Sequence, residues 1–182
     1  LLNQTSLCLR GLGRLTEAAD PIKIAATWAT ENSDWVHAAI GSNNLSEVEL
    51  TLGRTQSAIE HALSCVTFAD HSCNSQLQVI SRVSHADALF QTGNQAEAEL
   101  EFAKAEECLA EHDPECPFLH SWWGYRYWEL LLRFVERIAW GHTPESQNLD
   151  ALQACYTVSR LLKKASLLVE RVLIPGSFGL ES

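Results

Sequence analysis

The chain has 182 residues, of which 46% are hydrophobic and 20% are charged, a balance typical of one folded domain with a sizeable core. Its net charge of −10 argues against nucleic acid or an anionic membrane surface as a partner, because both are bound by clustered lysine and arginine. No apolar run approaches the roughly 18 residues that span a bilayer. We therefore expect a cytoplasmic protein whose six cysteines are free thiols. The sequence begins at Leu1 and contains no methionine, which favours a piece of a longer protein.

Helical periodicity runs through almost the whole sequence and predicts an all-α fold. In chain order, we expect helices at about 1–12, 15–31, 33–52, 55–71, 74–92, 95–112, 117–140 and 149–173. Paired in that order, they give four antiparallel hairpins at about 1–31, 33–71, 74–112 and 117–173, forming one helical repeat domain over 1–173. Residues 174–182 are expected to form a tail or a linker.

Three glycines at intervals of 40 residues mark an internal repeat: Gly13, Gly53 and Gly93. A stripe of mostly small apolar residues begins five residues after each glycine and continues at steps of four, three and four. The stripes are Ala18, Ile22, Ala25, Ala29; Ala58, Ala62, Cys65, Ala69; and Ala98, Phe102, Ala105, Leu109. Each stripe is one face of an amphipathic helix. Each glycine is expected to end one helix where a positive φ is needed, and the small residues to permit a close helix crossing.

The pattern resembles the tetratricopeptide repeat family over about residues 1–140. The matching residues are the small residue of the first helix, the turn glycine and two small residues of the second helix: Ser46, Ala86, Gly53, Gly93, Ala58, Ala98, Cys65 and Ala105. The stretch WGYRY, with Trp123, Gly124 and Tyr127, also fits the first-helix pattern. The period of 40 is longer than the family's. The stretches NNLSEVELTLG, ADALFQTGNQAEAE and PFLHSWWGYRYWELLL resemble the long-repeat arrays of large multidomain bacterial proteins. The resemblance implies a TPR-like α-solenoid, a right-handed superhelix of about four hairpins that binds or scaffolds.

In that family the first helix of each hairpin lines the concave surface. The resemblance places four candidate ligand-binding residues there: Asn44, Glu47, Asp87 and Phe90. The basic residues of the family's carboxylate clamp are absent, which disfavours a C-terminal carboxylate as the ligand. Acidic groups near an aromatic ring suit a segment that bears lysine or arginine. Alternatively, these acids only solvate the inner wall.

Aromatic residues concentrate between residues 118 and 140, with eight of the 15 in the chain. They occupy more than one face of the predicted helix, so they cannot all face a single hairpin. Their bulk suits a thick core between the third and fourth hairpins. The alternative is a ligand groove or a contact surface, with Trp123 and Tyr127 as its candidate residues.

Four possible zinc ligands follow one another at steps of four: Cys108, His112, Cys116 and His120. Prolines at 114 and 117 interrupt the helix that would align them, and the spacing matches no zinc module built on CxxC pairs. We therefore expect inert turn residues, no structural zinc and no cofactor.

No nucleophile elbow, P-loop or dinucleotide-binding glycine pattern occurs in the sequence, so we expect no enzyme activity in this segment. The interpretation that fits best is a protein–protein interaction or scaffold module that binds a peptide or a helix. Two alternatives remain open. One is a purely structural spacer, and the other is a sensor or regulatory segment attached to an NTPase or effector enzyme.

Overall fold

The computed structural model describes residues 2–114, 117–119, 121–140, 156–160 and 162–166. All regular secondary structure within these ranges is helical, which confirms the expected all-α class. In chain order, the bounded helices are α1 (Leu2–Gly11), α2 (Leu15–Glu31), α3 (Trp35–Thr51), α4 (Thr55–Ser72), α5 (Ser75–Gln91), α6 (Gln95–His112) and α7 (Ser121–Trp140). Residues 156–160 and 162–166 are also helical.

The chain divides into two compact units, Leu1–Leu119 and His120–Ser182. In the first unit the helices pack in adjacent pairs in chain order, from α1 against α2 to α5 against α6, and α3 also contacts α5. The expected tail, 174–182, lies outside the described residues. Within the described ranges, no helix is both long enough and apolar enough to cross a membrane.

Each hairpin of the first unit turns at a glycine in the left-handed backbone region. The φ angles are 74° at Gly13, 74° at Gly53 and 91° at Gly93. At the second of these turns, the N–H of Gly53 donates to the carbonyl of Leu50 at 3.0 Å, and that of Arg54 donates to the carbonyl of Glu49 at 2.8 Å. This pair of bonds is a Schellman ending, and it recurs at the other two glycines. A Cβ at any of the three glycines would meet nothing within 4 Å, so it is the φ angle that requires glycine there.

The turns between hairpins contain no glycine. Ser33 and Cys73 adopt positive φ angles of 55° and 52°, at a cost of about 1–2 kcal/mol each. The residue after each of them caps the next helix: Asp34 accepts from the His37 N–H at 3.2 Å, and Asn74 accepts from the Leu77 N–H at 3.0 Å. These caps satisfy amide groups that the helix itself leaves without a partner.

The three predicted stripes form the core of the first unit. Of their members, all but the half-buried Ala25 and Leu109 are buried. The expected small residues of the first helices, Ser6, Ser46 and Ala86, are buried as well. The second helices therefore use their small apolar stripes to pack against neighbouring first helices.

Helices α2 and α3 approach each other closely at Gly41. A Cβ built on Gly41 would lie 2.8 Å from the Cβ of Ala26 and 3.2 Å from its Cα. Both atoms of Ala26 are fixed to the helix backbone, so neither can rotate away. Gly41 thus permits a crossing that alanine would force apart.

In the second unit, α7 contributes a buried group made of Tyr127, Leu130 and Leu131. The Nζ atom of Lys164, whose residue is also buried, lies 4.7 Å from the centroid of the Tyr127 ring. This is the geometry of a cation–π contact, and it joins α7 to the helical residues 162–166.

Candidate functional site

Helices α1, α3 and α5 carry mostly polar residues at matching positions before the turn glycine, and we call this set of residues the first-helix wall. Its members stand three, six, nine or ten residues before the turn glycine of their hairpin, and these steps of about one helical turn align them on one side. They are Asn3, Arg10, Asn43, Asn44, Glu47, Asp87 and Phe90.

Glu47 is the centre of a hydrogen-bonded group on this wall. The Nη2 atom of Arg10 donates to Oε2 of Glu47 at 2.9 Å, and Nδ2 of Asn43 donates to Oε1 at 3.2 Å. Arg10 belongs to α1 and Glu47 to α3, so the ion pair links the first helices of two hairpins. The Glu47 side chain is 43% exposed, and a pair this open contributes at most about 1 kcal/mol. Its main effect is to orient the carboxylate.

Two asparagines at the same register place shielded acceptor oxygens along the wall. The Oδ1 atoms of Asn3 and Asn43 are buried and receive no hydrogen bond from the described residues. The orientation of Asn43 is fixed, because the Glu47 carboxylate only accepts and therefore faces the Nδ2 group. Since buried polar atoms normally have a partner, these two oxygens are exceptions, and a donor from a bound segment would reach them only after the amide turns outward.

The remaining predicted residues of the wall differ in accessibility. Asn44 and Asp87 are half-buried. Nε2 of Gln91 lies 3.4 Å from Oδ1 of Asp87. Phe90 is only 4% exposed, so its ring packs with the helices and little of it is accessible to a ligand.

The two aromatic candidates belong to the second unit. Trp123 is half-buried on α7. Tyr127 is 1% exposed and its ring contacts Lys164, so its ring lies in the interior of that unit.

A buried carboxylate that sequence reasoning missed lies between α2, α3 and the turn into α4. The side chain of Glu49 is 3% exposed, with Nη1 of Arg54 at 3.3 Å and Nζ of Lys23 at 4.0 Å. Charged atoms this deep need such partners. The signal was present in the repeat, because the equivalent positions 40 residues away are leucines, Leu9 and Leu89. A glutamate in a leucine register indicates a buried ionic group.

His61, on α4, is affected by the same charges. Burial is the main cause that lowers the pKa of His61, and Lys23 lowers it further, while Glu49 and Glu60 raise it. The net shift is downward from the usual value of 6.5. His61 therefore favours the neutral form in the folded protein.

We expect the protein to lose stability between pH 7 and pH 5 in a His61-dependent way. As the pH is lowered through about 6.5, the unfolded chain binds a proton at this histidine before the folded chain does. The free energy of unfolding therefore decreases as the pH decreases. In thermal melts, the drop in Tm over this window should shrink in His61→Gln. The exposed His112→Gln is the control and should keep the wild-type drop. Equal drops in wild type and His61→Gln would contradict the assignment.

A second polar contact joins α5 to α6. Nδ1 of His85 lies 3.5 Å from Oε2 of Glu101, and Nζ of Lys104 lies 2.6 Å from the other oxygen. Burial raises the pKa of Glu101, but Lys104 and His85 lower it by more. Glu101 is thus a charged anchor between the helices of the third hairpin.

The four candidate zinc ligands lie only partly within the described residues. Cys108 is half-buried on α6, where its thiol contacts Oε1 of Gln78 at 3.9 Å and burial raises its pKa. His112 is exposed, whereas Cys116 and His120 fall outside the described residues. Over the described ranges, no three His, Cys, Asp or Glu side chains are arranged to bind a metal.

Comparison with models of known protein families gives no match, and comparison with curated proteins gives none either. The arrangement of the site is therefore the basis for any statement about function. It consists of the amide oxygens of Asn3 and Asn43 and the carboxylates of Glu47 and Asp87, at matching positions of α1, α3 and α5.

Proposed function

We propose that the chain is a non-catalytic protein–protein interaction module that binds a peptide or a helix along the first-helix wall. The observation that supports this most is the Glu47 carboxylate, which is 43% exposed and is held in place by Arg10 and Asn43. The Oδ1 atoms of Asn3 and Asn43, which stand at the same position of two successive first helices, receive no hydrogen bond from the described residues. N–H groups of a partner would satisfy these oxygens where binding turns the amides outward.

The same proposal describes the fold as a TPR-like α-solenoid of about four hairpins. Its support is that three turns share the same hydrogen bonds and similar φ angles at intervals of 40 residues. Helices also pack against their chain neighbours. Such repeats stack because one hairpin cannot bury its apolar face alone. In this arrangement the first-helix wall would be a continuous inner surface.

The partner is proposed to present N–H donors together with lysine or arginine. Arg10 and Asn43 already donate to Glu47, so a partner cation would compete with Arg10 there. Neutral donors would bind the asparagine oxygens without that competition. We infer that the asparagines set the register of the bound segment and that the carboxylates add charge preference.

The Arg10–Glu47 ion pair also supports the spacer alternative. A wall that pairs its own charges between successive first helices gains rigidity without any ligand. A spacer of this kind would keep the ion pair and bind nothing at the asparagines. The binding experiment below separates the two functions.

We expect the double variant Glu47→Lys, Asp87→Lys to weaken binding of a partner peptide about tenfold. Two reversed charges at a partly exposed surface together change the binding free energy by about 1.4 kcal/mol. The peptide would be selected from a displayed library of lysine- and arginine-bearing sequences, and its Kd measured by calorimetry. Added salt should weaken wild-type binding in the same direction.

A matched control is Glu99→Lys with Glu107→Lys, which makes the same charge change at exposed positions of α6. This control should bind like the wild type. Asn3→Ala, which removes one shielded acceptor and leaves the Arg10–Glu47 pair intact, should also weaken binding. Unchanged affinity in both wall variants would exclude this wall as the binding surface and leave the spacer.

A further inference from the structure

The buried carboxylate of Glu49 lies at the boundary between the first and second hairpins. Its Oε1 atom is 4.0 Å from Nζ of Lys23, and its Oε2 atom is 3.3 Å from Nη1 of Arg54. Lys23 belongs to α2 and therefore to the first hairpin, whereas Glu49 and Arg54 belong to the second. Since α2 packs against α3, the contact between Lys23 and Glu49 is part of the surface that joins the two hairpins.

The equivalent boundary between the second and third hairpins carries no charge at the matching positions. The residues 40 positions later are Leu63, Leu89 and Asn94. Helix α4 packs against α5 at this boundary, and Leu89 is 4% exposed. The three positions therefore change together, from a lysine, a glutamate and an arginine at the first boundary to two leucines and an asparagine at the second.

The cation that α2 presents to Glu49 is specific to this helix among the three second helices of the first unit. Lys23 of α2 corresponds to Leu63 of α4 and to Ala103 of α6, and neither side chain can pair with a carboxylate. A helix with leucine or alanine at this position would leave Arg54 as the one cation beside Glu49 in the described structure. Because the Glu49 side chain is 3% exposed, water does not replace the missing charge.

We propose that Glu49 is the residue by which α3 selects α2 over the other second helices of this fold. Hairpins that share one register and one kind of small apolar stripe have similar surfaces, so they can pack in the wrong order or against the hairpins of a second copy. A buried charge that only one helix complements disfavours those arrangements. This selection goes beyond the proposed function, since it requires no partner.

The selection acts through the carboxylate rather than through the lysine. The Lys23 side chain is 50% exposed, so in a wrong pairing it keeps its charged end in water. The Glu49 side chain is 3% exposed and has no such alternative. A wrong pairing is therefore penalised when α3 receives a helix without a cation, and it is tolerated when α2 meets an apolar first helix.

The first experiment gives α2 the residue that α4 or α6 carries at this position. Urea unfolding of the full chain is measured for Lys23→Leu and Lys23→Ala, both in the wild type and in Glu49→Leu, so that effects of side-chain size cancel in the comparison. Each substitution should raise the unfolding equilibrium constant about fivefold more in the wild type than in Glu49→Leu. The measurements are made at about pH 8, where His61, with its lowered pKa, is neutral in both states.

The second experiment transfers the charged set to the boundary between the second and third hairpins. Leu89→Glu should raise the unfolding equilibrium constant at least about a hundredfold, because it buries a carboxylate without a cation. Adding Leu63→Lys and Asn94→Arg should recover at least about tenfold of that loss. If Leu89→Glu alone does not fold, the readout is whether the triple variant regains helical circular dichroism and a cooperative melting transition.

The control for the transfer replaces Leu63→Lys by Leu12→Lys and keeps the other two substitutions. Both leucines are exposed, at 52% for Leu63 and 71% for Leu12, and both changes add one positive charge. Leu12 lies after α1, at the turn of the first hairpin, so its replacement should recover less than Leu63→Lys does.

The proposal is overturned if Lys23→Leu and Lys23→Ala have the same effect in Glu49→Leu as in the wild type. It is also overturned if the added lysine and arginine recover none of the loss caused by Leu89→Glu, or if Leu12→Lys recovers as much as Leu63→Lys, which would assign the effect to net charge. None of these measurements involves a ligand, so their outcome is independent of whether the first-helix wall binds a partner.

Discussion

Replacing Ala58 or Ala98 by leucine is expected to lower the free energy of unfolding by about 1–3 kcal/mol each, the usual cost of overpacking a core. Both alanines are 0% exposed, and both stand five residues after a turn glycine. The larger leucine side chain has no room in the packed interior, so the neighbouring helices would have to separate. Denaturant unfolding measured at equilibrium gives the difference directly.

The control for this pair is Ala96→Leu, at an exposed position of α6. Its stability should stay close to that of the parent, because the leucine side chain extends into solvent. If Ala58→Leu and Ala98→Leu were as stable as Ala96→Leu, this would contradict the inference that first and second helices pack closely at these two alanines.

Removing the Arg54 side chain is expected to destabilise the protein by about 2–3 kcal/mol in urea unfolding. Arg54→Ala leaves the Glu49 carboxylate, 3% exposed, with Lys23 at 4.0 Å as its remaining cation in the described structure. Loss of one partner from a buried ion pair typically costs about 3–5 kcal/mol. We lower that figure because Lys23 remains and because the Arg54 side chain is itself 51% exposed.

Two further variants separate charge from packing at this site. Glu49→Leu should stay within about 1 kcal/mol of the parent, since a buried ion pair is often replaced by an apolar side chain without loss. Arg54→Ala in the Glu49→Leu background should then add little. The control is Arg14→Ala, because Arg14 also follows a turn glycine but pairs with the exposed Glu17. Equal losses in Arg54→Ala and Arg14→Ala would show that burial of Glu49 is unimportant.

Much of the fold follows from the repeat register alone. The register predicted where the three left-handed glycines would fall, and it identified the buried stripes of α2, α4 and α6. Helix ends were predicted less well where side chains decide them. For example, α3 begins at Trp35 rather than near 33, because Ser33 takes a positive φ and Asp34 acts as the cap. A helix cap depends on one rotamer and one backbone angle, and helical periodicity does not encode either.

The candidate site was less predictable. The sequence placed Glu47 at a position expected to line the concave surface. It did not indicate that Arg10, 37 residues earlier, would form a hydrogen bond with it. A contact of this kind depends on the angle between helices and on a long side chain with several rotamers. The shielding of Asn3 and Asn43 likewise appears only after the helices are packed. Their identical register was visible in the sequence and could have drawn attention to them.

The order of helix packing also bears on how quickly the first unit folds. Neighbouring helices along the chain contact one another, and α3 reaches one helix beyond its neighbour to α5. Chains dominated by such local contacts close only short loops on the way to the transition state, and they belong to the fastest-folding class. The glycine turns within the hairpins form without backbone strain. The turns between hairpins place Ser33 and Cys73 at positive φ angles, which slightly disfavours their formation. We therefore expect the hairpins to form early in folding and to stack on one another later.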